Sequence, residues 1–581
     1  MDKKSCFTNR LMLLLVYLII HSSVIYGYGR IITVDDSLRI KVDALFSRYD
    51  KPDSPGGAVA IVKDGKVIYV KGYGSANLEY NIPITKSTVF NLASVSKHIT
   101  AYCIFLLESE GKLSIEDDIR NYLPELPDFG KVIKIKHLLH QTSGLRDPYG
   151  LMYLRGWNPL DVLNNTDVMR LLHRQKELNN DPGSSYMYSS SNYIVLSEII
   201  NKVSGKSLSD WAKENIFDPL GMKNTIYNEA TDANVVKNRA DAYNFSSKGG
   251  ILNYSHLSSL VGTGGIYTSA EDIALWLKNI FDPKVGTSET VKRLFQMEKL
   301  NDGNIHPYAC GLIKNINYNG YIFYTHDGQI GGYKTYIALF PDDQLGIVVM
   351  SNLFSFSPWP IIKEISGYCI SDLWAKPLEV TQKETEKLEM KPDIKINKGV
   401  YDDYVGKYII EQMNLAFEII KENEKLFIQG KAIGRRELYP ETESIFNISG
   451  DVGKVTFKRN QENSVEELIL NSRGREIICS RIDGESSSEI IKPEEIQDYC
   501  GIYRSDEIDV TIEIEYSNNQ FIAKHIMYED LKLKPVSSEV WEGPKFFINT
   551  LKFFKGEDDK ILGFRLTGHR VINLLFEKEI D

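Results

Sequence analysis

Ser94 and Lys97 stand three residues apart in Ser94-Val95-Ser96-Lys97, at the start of a segment patterned as a helix. That spacing puts a hydroxyl and an ammonium on one helical face. The N-terminal end of a helix adds partial positive charge, which favours an alkoxide or an oxyanion. Serine is a poor nucleophile near neutral pH; a neutral lysine, or a tyrosinate held by a lysine, can take its proton. Tyr188-Ser189-Ser190 opens a second helical run, Tyr193 to Val203, and offers a tyrosine able to act as general base beside a cation. His326-Asp327-Gly328, continued by Gln329-Ile330-Gly331-Gly332, reads as a bend between strands, where glycines let backbone approach a substrate. The Gln329 N–H can then pair with the Ser94 N–H as an oxyanion hole. Each motif alone is weak. An S-x-x-K tetrapeptide recurs by chance about a few times in a chain this long, and serines before helices are ordinary caps. Tyr516-Ser517-Asn518 looks as good as the second motif, and His137 and His140 read as structural residues of a short helix.

These residues need a scaffold, and the pattern supplies one. Ala58 to Val62 and Val67 to Val70 read as a strand pair joined by an Asp64-Gly65 hairpin signal. Lys97 to Glu110 reads as a helix with an apolar stripe at Ile99, Cys103, Ile104, Leu106 and Leu107, stopped by Gly111. Tyr321 to Tyr324 and Tyr333 to Phe340 form a second strand pair, and Gly346 to Met350 a buried strand. Strands at both ends of this region, with helices between, imply one mixed sheet closed by both termini. After the charged stretch Lys383 to Lys398 the chain repeats itself. Tyr404-Val405-Gly406-Lys407-Tyr408 returns as Tyr499-Cys500-Gly501-Ile502-Tyr503, and Leu438-Tyr439-Pro440 as Leu533-Lys534-Pro535, a period of 95 residues. Short strands and turns in each copy predict two similar β domains, each a small antiparallel barrel or sandwich.

The 581 residues carry a net charge of −10 and no long basic block, which argues against nucleic acid as a partner. Lys3, Lys4 and Arg10 precede a ten-residue apolar run, Leu11 to Ile20, so the N-terminus reads as a signal peptide or an anchor and the body as exported. Six cysteines without CxxC spacing argue against a zinc site and for buried free thiols. The expected layout is residues 1–29 as leader, 30–378 as an α+β catalytic domain with an antiparallel sheet flanked by helices, 379–400 as linker, and 401–484 and 494–581 as β-barrel domains.

In order, the three motifs resemble those of the serine β-lactamase-like superfamily, in the branch of class C β-lactamases, D-Ala-D-Ala carboxypeptidases, D-aminopeptidases and related esterases. Phe90 to Lys97 is similar to the family's nucleophile segment, and His137-Leu138-Leu139-His140-Gln141-Thr142-Ser143-Gly144-Leu145 to its HLLxHTSGL segment. Asp218 to Met222 and Gly264 to Asp272 have counterparts as well. The resemblance implies Ser94 as acylated nucleophile, Lys97 as its proton partner and Tyr188 as general acid/base. It puts His326 and Gly328 in the third motif and Gln329 in the oxyanion hole, with no metal or organic cofactor. Two departures stand out: Ser190 replaces the usual Asn, and the third motif is HxG where class C β-lactamases have KTG. A lysine there holds a substrate carboxylate, whereas histidine is mostly neutral at pH 7. That argues for a peptidase, amidase or esterase over a dedicated β-lactamase, with small or cell-wall-derived peptides as substrates. The doubled lipocalin-like β tail resembles the architecture of D-aminopeptidases, in which a barrel loop reaches the cleft.

Overall fold

Strand Gly57–Lys63 explains the architecture of the first domain. It is buried along nearly its whole length, and its side chains alternate between two cores. Ala58, Ala60 and Val62 join one apolar cluster, while Val59 and Ile61 join another on the opposite face. A strand covered on both faces reads as a continuous apolar run, as it does in the sequence. A computed structural model describes residues 34–374 and 398–579, apart from 159–160, 230–234, 247, 257–258, 318, 411–414, 431–433, 450–452, 461–463, 473–474 and 483–490. The expected leader, and all of the expected linker except 398–400, lie outside the described residues.

The strand sits in a six-stranded sheet ordered Ile313–Ile316, Ile322–Ile330, Tyr333–Phe340, Leu345–Ser351, Gly57–Lys63 and Lys66–Tyr73. Every pairing in it is antiparallel. The antiparallel sheet expected for the first domain is thus present, and the mixed sheet suggested by the strand pattern alone is corrected: each neighbour is reached by a short connection or by return of the chain end, and none needs a parallel crossover. The Asp64-Gly65 turn takes positive φ at both residues, as a tight hairpin requires. Helices Val34–Phe46 and Pro358–Cys369 cover one face, contributing Val42, Phe46, Ile362 and Ile365. Helix Ala270–Phe281 covers the other, with Ile273, Trp276 and Leu277. Beyond it lies a helical lobe. Its centre is helix Lys97–Ser109, buried on all sides from Lys97 to Leu107, against helix Ser190–Ser204.

Two closed eight-stranded antiparallel barrels follow. Their strands keep the sequence period: Gly406–Ile410 corresponds to Gly501–Ser505, Leu415–Glu422 to Val510–Ser517, and Ile445–Ile448 to the start of Val540–Lys545. The plugs correspond too. Tyr404 Oη donates to Glu443 O and Tyr408 Oη to Tyr404 O, and Tyr499 and Tyr503 repeat this with Ser538 O and Tyr499 O. Each buried tyrosine thus satisfies its hydroxyl on backbone while its ring fills the barrel end. Among the described residues the cysteines are free; Cys103, Cys310 and Cys479 are buried. No helix among them is long and apolar enough to cross a membrane.

Candidate active site

The Ser94 turn is built by the strand before it. Strand Val89–Asn91 pairs with Ile266–Ser269, and Asn91 Oδ1 accepts the Ala93 N–H at 2.7 Å. Ala93 takes a φ of +48°, a costly conformation for a residue with a Cβ and one found at functional turns. Ser94 therefore lies in a 3-10 turn, Ala93–Ser96, that feeds helix Lys97–Ser109. Lys97 Nζ is 3.0 Å from Ser94 Oγ and donates to Thr263 O at 2.7 Å. Its side chain is fully buried. Burial, aided by Arg570, holds its pKa well below the ordinary lysine value, against the opposing pull of Asp147 and Asp327, which makes the neutral amine easier to reach.

Tyr188 Oη donates to the same Ser94 Oγ at 3.0 Å. Burial raises its pKa, so its proton stays on, and the phenol is a donor rather than a tyrosinate base. The segment His137 to Leu145 fixes the tyrosine's approach. Gln141, in a left-handed conformation, accepts the Ser189 N–H at 2.8 Å and an Asn192 Nδ2–H through Oε1, and its carbonyl accepts the Met187 N–H. His137 and His140 stay structural: burial lowers both to about 4.

The third motif differs from expectation. His326, Asp327 and Gly328 lie inside strand Ile322–Ile330, and the bend comes later, at Gly331 and Gly332. Alternation decides this: His326 and Gly328 point inward and Asp327 outward. Gly328 serves close approach rather than turning. A Cβ there would stand 2.3 Å from Leu92 O and 3.2 Å from Ala93 Cβ. Gly328→Ala is thus expected to push the strand off the nucleophile turn. A shift of this kind lowers kcat/KM by about 10²-fold, and overpacking costs about 1–3 kcal/mol of stability. Steady-state kinetics and a thermal melt of the variant check both.

His326 Nδ1 lies 2.6 Å from Asp327 O. A carbonyl can only accept, so Nδ1 carries the proton. Nε2 is buried and has no hydrogen-bond partner among the described residues. Burial, then Lys97, holds this imidazole down at about 4. At neutral pH it presents a bare lone pair to the cavity.

That cavity, about 360 Å³, brings together Ser94, Tyr188, Ser190, His326 and Gln329. Ser190 lines it, but the hydrogen bonds of Lys97 Nζ go to Ser94 and Thr263. The backbone N–H of Ser190 is held by Asp147 Oδ2 at 2.9 Å. Asp147, fully buried, also accepts the Tyr149 N–H. It joins the N-termini of two helices, Pro148–Leu154 and Ser190–Ser204. Sequence reasoning passed over Asp147 and Thr263, although Asp147 lies two residues past the Ser143-Gly144-Leu145 motif.

It also passed over Arg570, which lines the cavity from the second barrel. Strands Ile561–Gly568 and Val571–Lys578 are joined by His569 and Arg570, both with positive φ. The turn is anchored on the catalytic domain. Arg570 O accepts from Asp147 N at 3.3 Å and Asn179 Nδ2 at 2.8 Å. Its guanidinium lies 4.7 Å from the Tyr188 ring centroid and 3.6 Å from Asp147 Oδ2. Below it, Arg146 donates to Glu507 at 2.6 Å, Gln175 at 3.0 Å and the Ile572 carbonyl. Arg565 forks onto Glu177 at 2.6 and 3.1 Å.

The family model described as Beta-lactamase matches residues 42–359. Among curated proteins, penicillin-binding protein 4* of Bacillus subtilis (strain 168) is 27% identical over 453 residues, covering 75% of this chain and 97% of its own. A D-aminopeptidase of Gluconobacter oxydans (strain 621H) is 27% identical over 486 residues, covering 82% and 84%. Among solved structures, the octameric penicillin-binding protein homologue from Pyrococcus abyssi aligns at a TM-score of 0.51 with 23% identity, over 77% of this chain and 99% of that one. That likeness shows the fold.

Proposed function

The chain belongs to the Beta-lactamase family, and from that membership we propose that it is an exported serine hydrolase of the peptidase and amidase class, acting on D-amino-acid or peptidoglycan-type peptides through an acyl-enzyme on Ser94. The carrying observation is that Lys97 Nζ and Tyr188 Oη both stand 3.0 Å from Ser94 Oγ. The names of the D-aminopeptidase and penicillin-binding protein relatives support the substrate class.

In this reading Ser94 Oγ attacks the substrate carbonyl carbon as its proton passes to neutral Lys97 Nζ. The carbonyl oxygen becomes an oxyanion, stabilised by the N–H groups of Ser94 and Gln329. Collapse breaks the C–N bond. The leaving nitrogen receives a proton through Tyr188, which regains one from Lys97. Water then adds to the acyl carbon and gives a proton to the Tyr188–Lys97 pair, which passes it to Ser94 Oγ as the acyl C–O bond breaks, releasing the acid and restoring the pair. His326 Nε2, an acceptor, orients a substrate N–H.

The test is covalent labelling. A fluorophosphonate or β-lactam probe will add its mass once to the wild-type protein, and Ser94→Ala will take none. Equal labelling of the variant would remove Ser94 from the reaction. A panel of D-amino-acid amides, short esters and a chromogenic β-lactam then sets the substrate class. Ester turnover alone would exclude the peptidase reading.

A further inference from the structure

We infer that Arg570, carried into the cleft by the last turn of the second barrel, binds a carboxylate of the substrate, so that this enzyme favours peptides bearing a free carboxylate beside the scissile bond. The inference rests on the hydrolase reading above and names the substrate chemistry of that same site.

The third motif cannot hold an anion. His326 is neutral at physiological pH, and its Nε2 offers a lone pair that repels a carboxylate. Lys97 is buried behind Ser94 and engaged with Ser94 and Thr263. Lys334 is engaged with the Gln329 side chain. Of the described residues lining the cavity, Arg570 is the one with a permanent positive charge.

Its guanidinium is placed but not consumed. The Tyr188 ring carries one face. Asp147 faces Nη1 at 3.6 Å, longer than a hydrogen bond. The Asp147 carboxylate already accepts from Ser190 N and Tyr149 N, so its charge is shared with two helix N-termini. The Arg570 side chain remains 42% exposed, leaving planar N–H donors to meet a carboxylate in a fork. The cleft thus has an anion-binding end at Arg570 and an N–H-accepting end at His326, with Ser94 in the same cavity. Asp327, its acidic lining residue, is opposed by the charge of Lys334.

The experiment compares N-acetyl-D-alanyl-D-alanine with its C-terminal carboxamide on the full chain. Wild type is expected to favour the free carboxylate in kcat/KM by about tenfold or more, the effect of one charge-assisted hydrogen bond. In Arg570→Met that ratio collapses to near unity, and in Arg570→Lys part of it returns. A general disturbance of barrel docking lowers both rates together and leaves the ratio in place. A wild-type ratio of unity, or an Arg570→Met variant that keeps the wild-type ratio, overturns the inference. Turnover of neither peptide by a protein whose Ser94 still takes the fluorophosphonate also overturns it. Failure of that label would instead strike the hydrolase reading.

Discussion

Lys97→Met will lose acylation of Ser94 by about 10²–10⁴-fold, the range for removal of a positioned base, while the protein stays folded. The side chain is wholly buried and its pKa is pushed down by that burial, so methionine keeps the shape and removes an ionisable group, at the loss of the donor to Ser94 Oγ and Thr263 O. Two effects oppose each other near neutral pH: the variant loses the donor to the buried Thr263 carbonyl and is relieved of the lysine's proton release on folding. A lysine with a lowered folded pKa is neutral in the native state and protonated in the unfolded one. The unfolded chain therefore binds the extra proton, and wild-type stability climbs with pH from the lowered folded value up to the ordinary lysine range. The thioether of the variant binds no proton in either state, so its stability-versus-pH curve loses that slope. The same ionisation shapes turnover: kcat/KM of the wild type rises as pH rises through the lowered Lys97 value. Burst kinetics across pH, with melts of both proteins, check the set. An undiminished burst in the variant would take Lys97 out of the chemistry.

Glu507→Ala will unseat the second barrel. Arg146 is completely buried and Glu507 nearly so, at 0% and 2% side-chain exposure, with 2.6 Å between them. Removing one partner of such a pair leaves a buried charge unmatched, at a cost of about 3–5 kcal/mol. Burial already lowers the Arg146 pKa; the Gln175 and Ile572 oxygens carry no charge, and Glu177, half-exposed and 3.9 Å away, is a distant substitute already forked by Arg565. The interface then rests on its apolar contacts, among them Leu151, Leu154 and Leu171 in the core of the barrel and Tyr153 stacked on Phe547, and on its more exposed polar ones, such as the Arg565–Glu177 fork and the Asn179–Arg570 bond. Calorimetry should show an early transition for the barrel, with the free-carboxylate preference lost and Ser94 labelling kept. A melting profile identical to wild type would show that the pair does not secure the barrel.

The sequence carried the chemistry further than the geometry. Ser94, Lys97, Tyr188, His326, Ser190 and Gln329 meet around one cavity because each is fixed by short-range structure: a turn, a helix start, a strand. The 95-residue period exposed both barrels because each copy buries the same tyrosines. What escaped was whatever depends on long-range packing. The glycines after His326 suggested a bend, but only the pressed-in Leu92 carbonyl shows why Gly328 lacks a side chain. Asp147 and Arg570 are 423 positions apart, and no local periodicity joins them. Arg570 sits in a two-residue turn, Gly568-His569-Arg570-Val571, without the Asn-Gly or Asp-Gly signature.

That turn also sets a schedule. Chains are made from the N-terminus, and domains fold largely as they emerge. Ser94, Lys97, Tyr188 and His326 are all synthesised more than two hundred residues before Arg570. The nucleophile can thus be assembled while its cleft still lacks one wall and the fixed cation that wall carries. On the reading proposed above, discrimination is the last property the molecule acquires, and it arrives after both barrels have closed. A chain halted after the first domain is complete but before that turn would, on the same reading, hold a competent serine without the means to choose what acylates it.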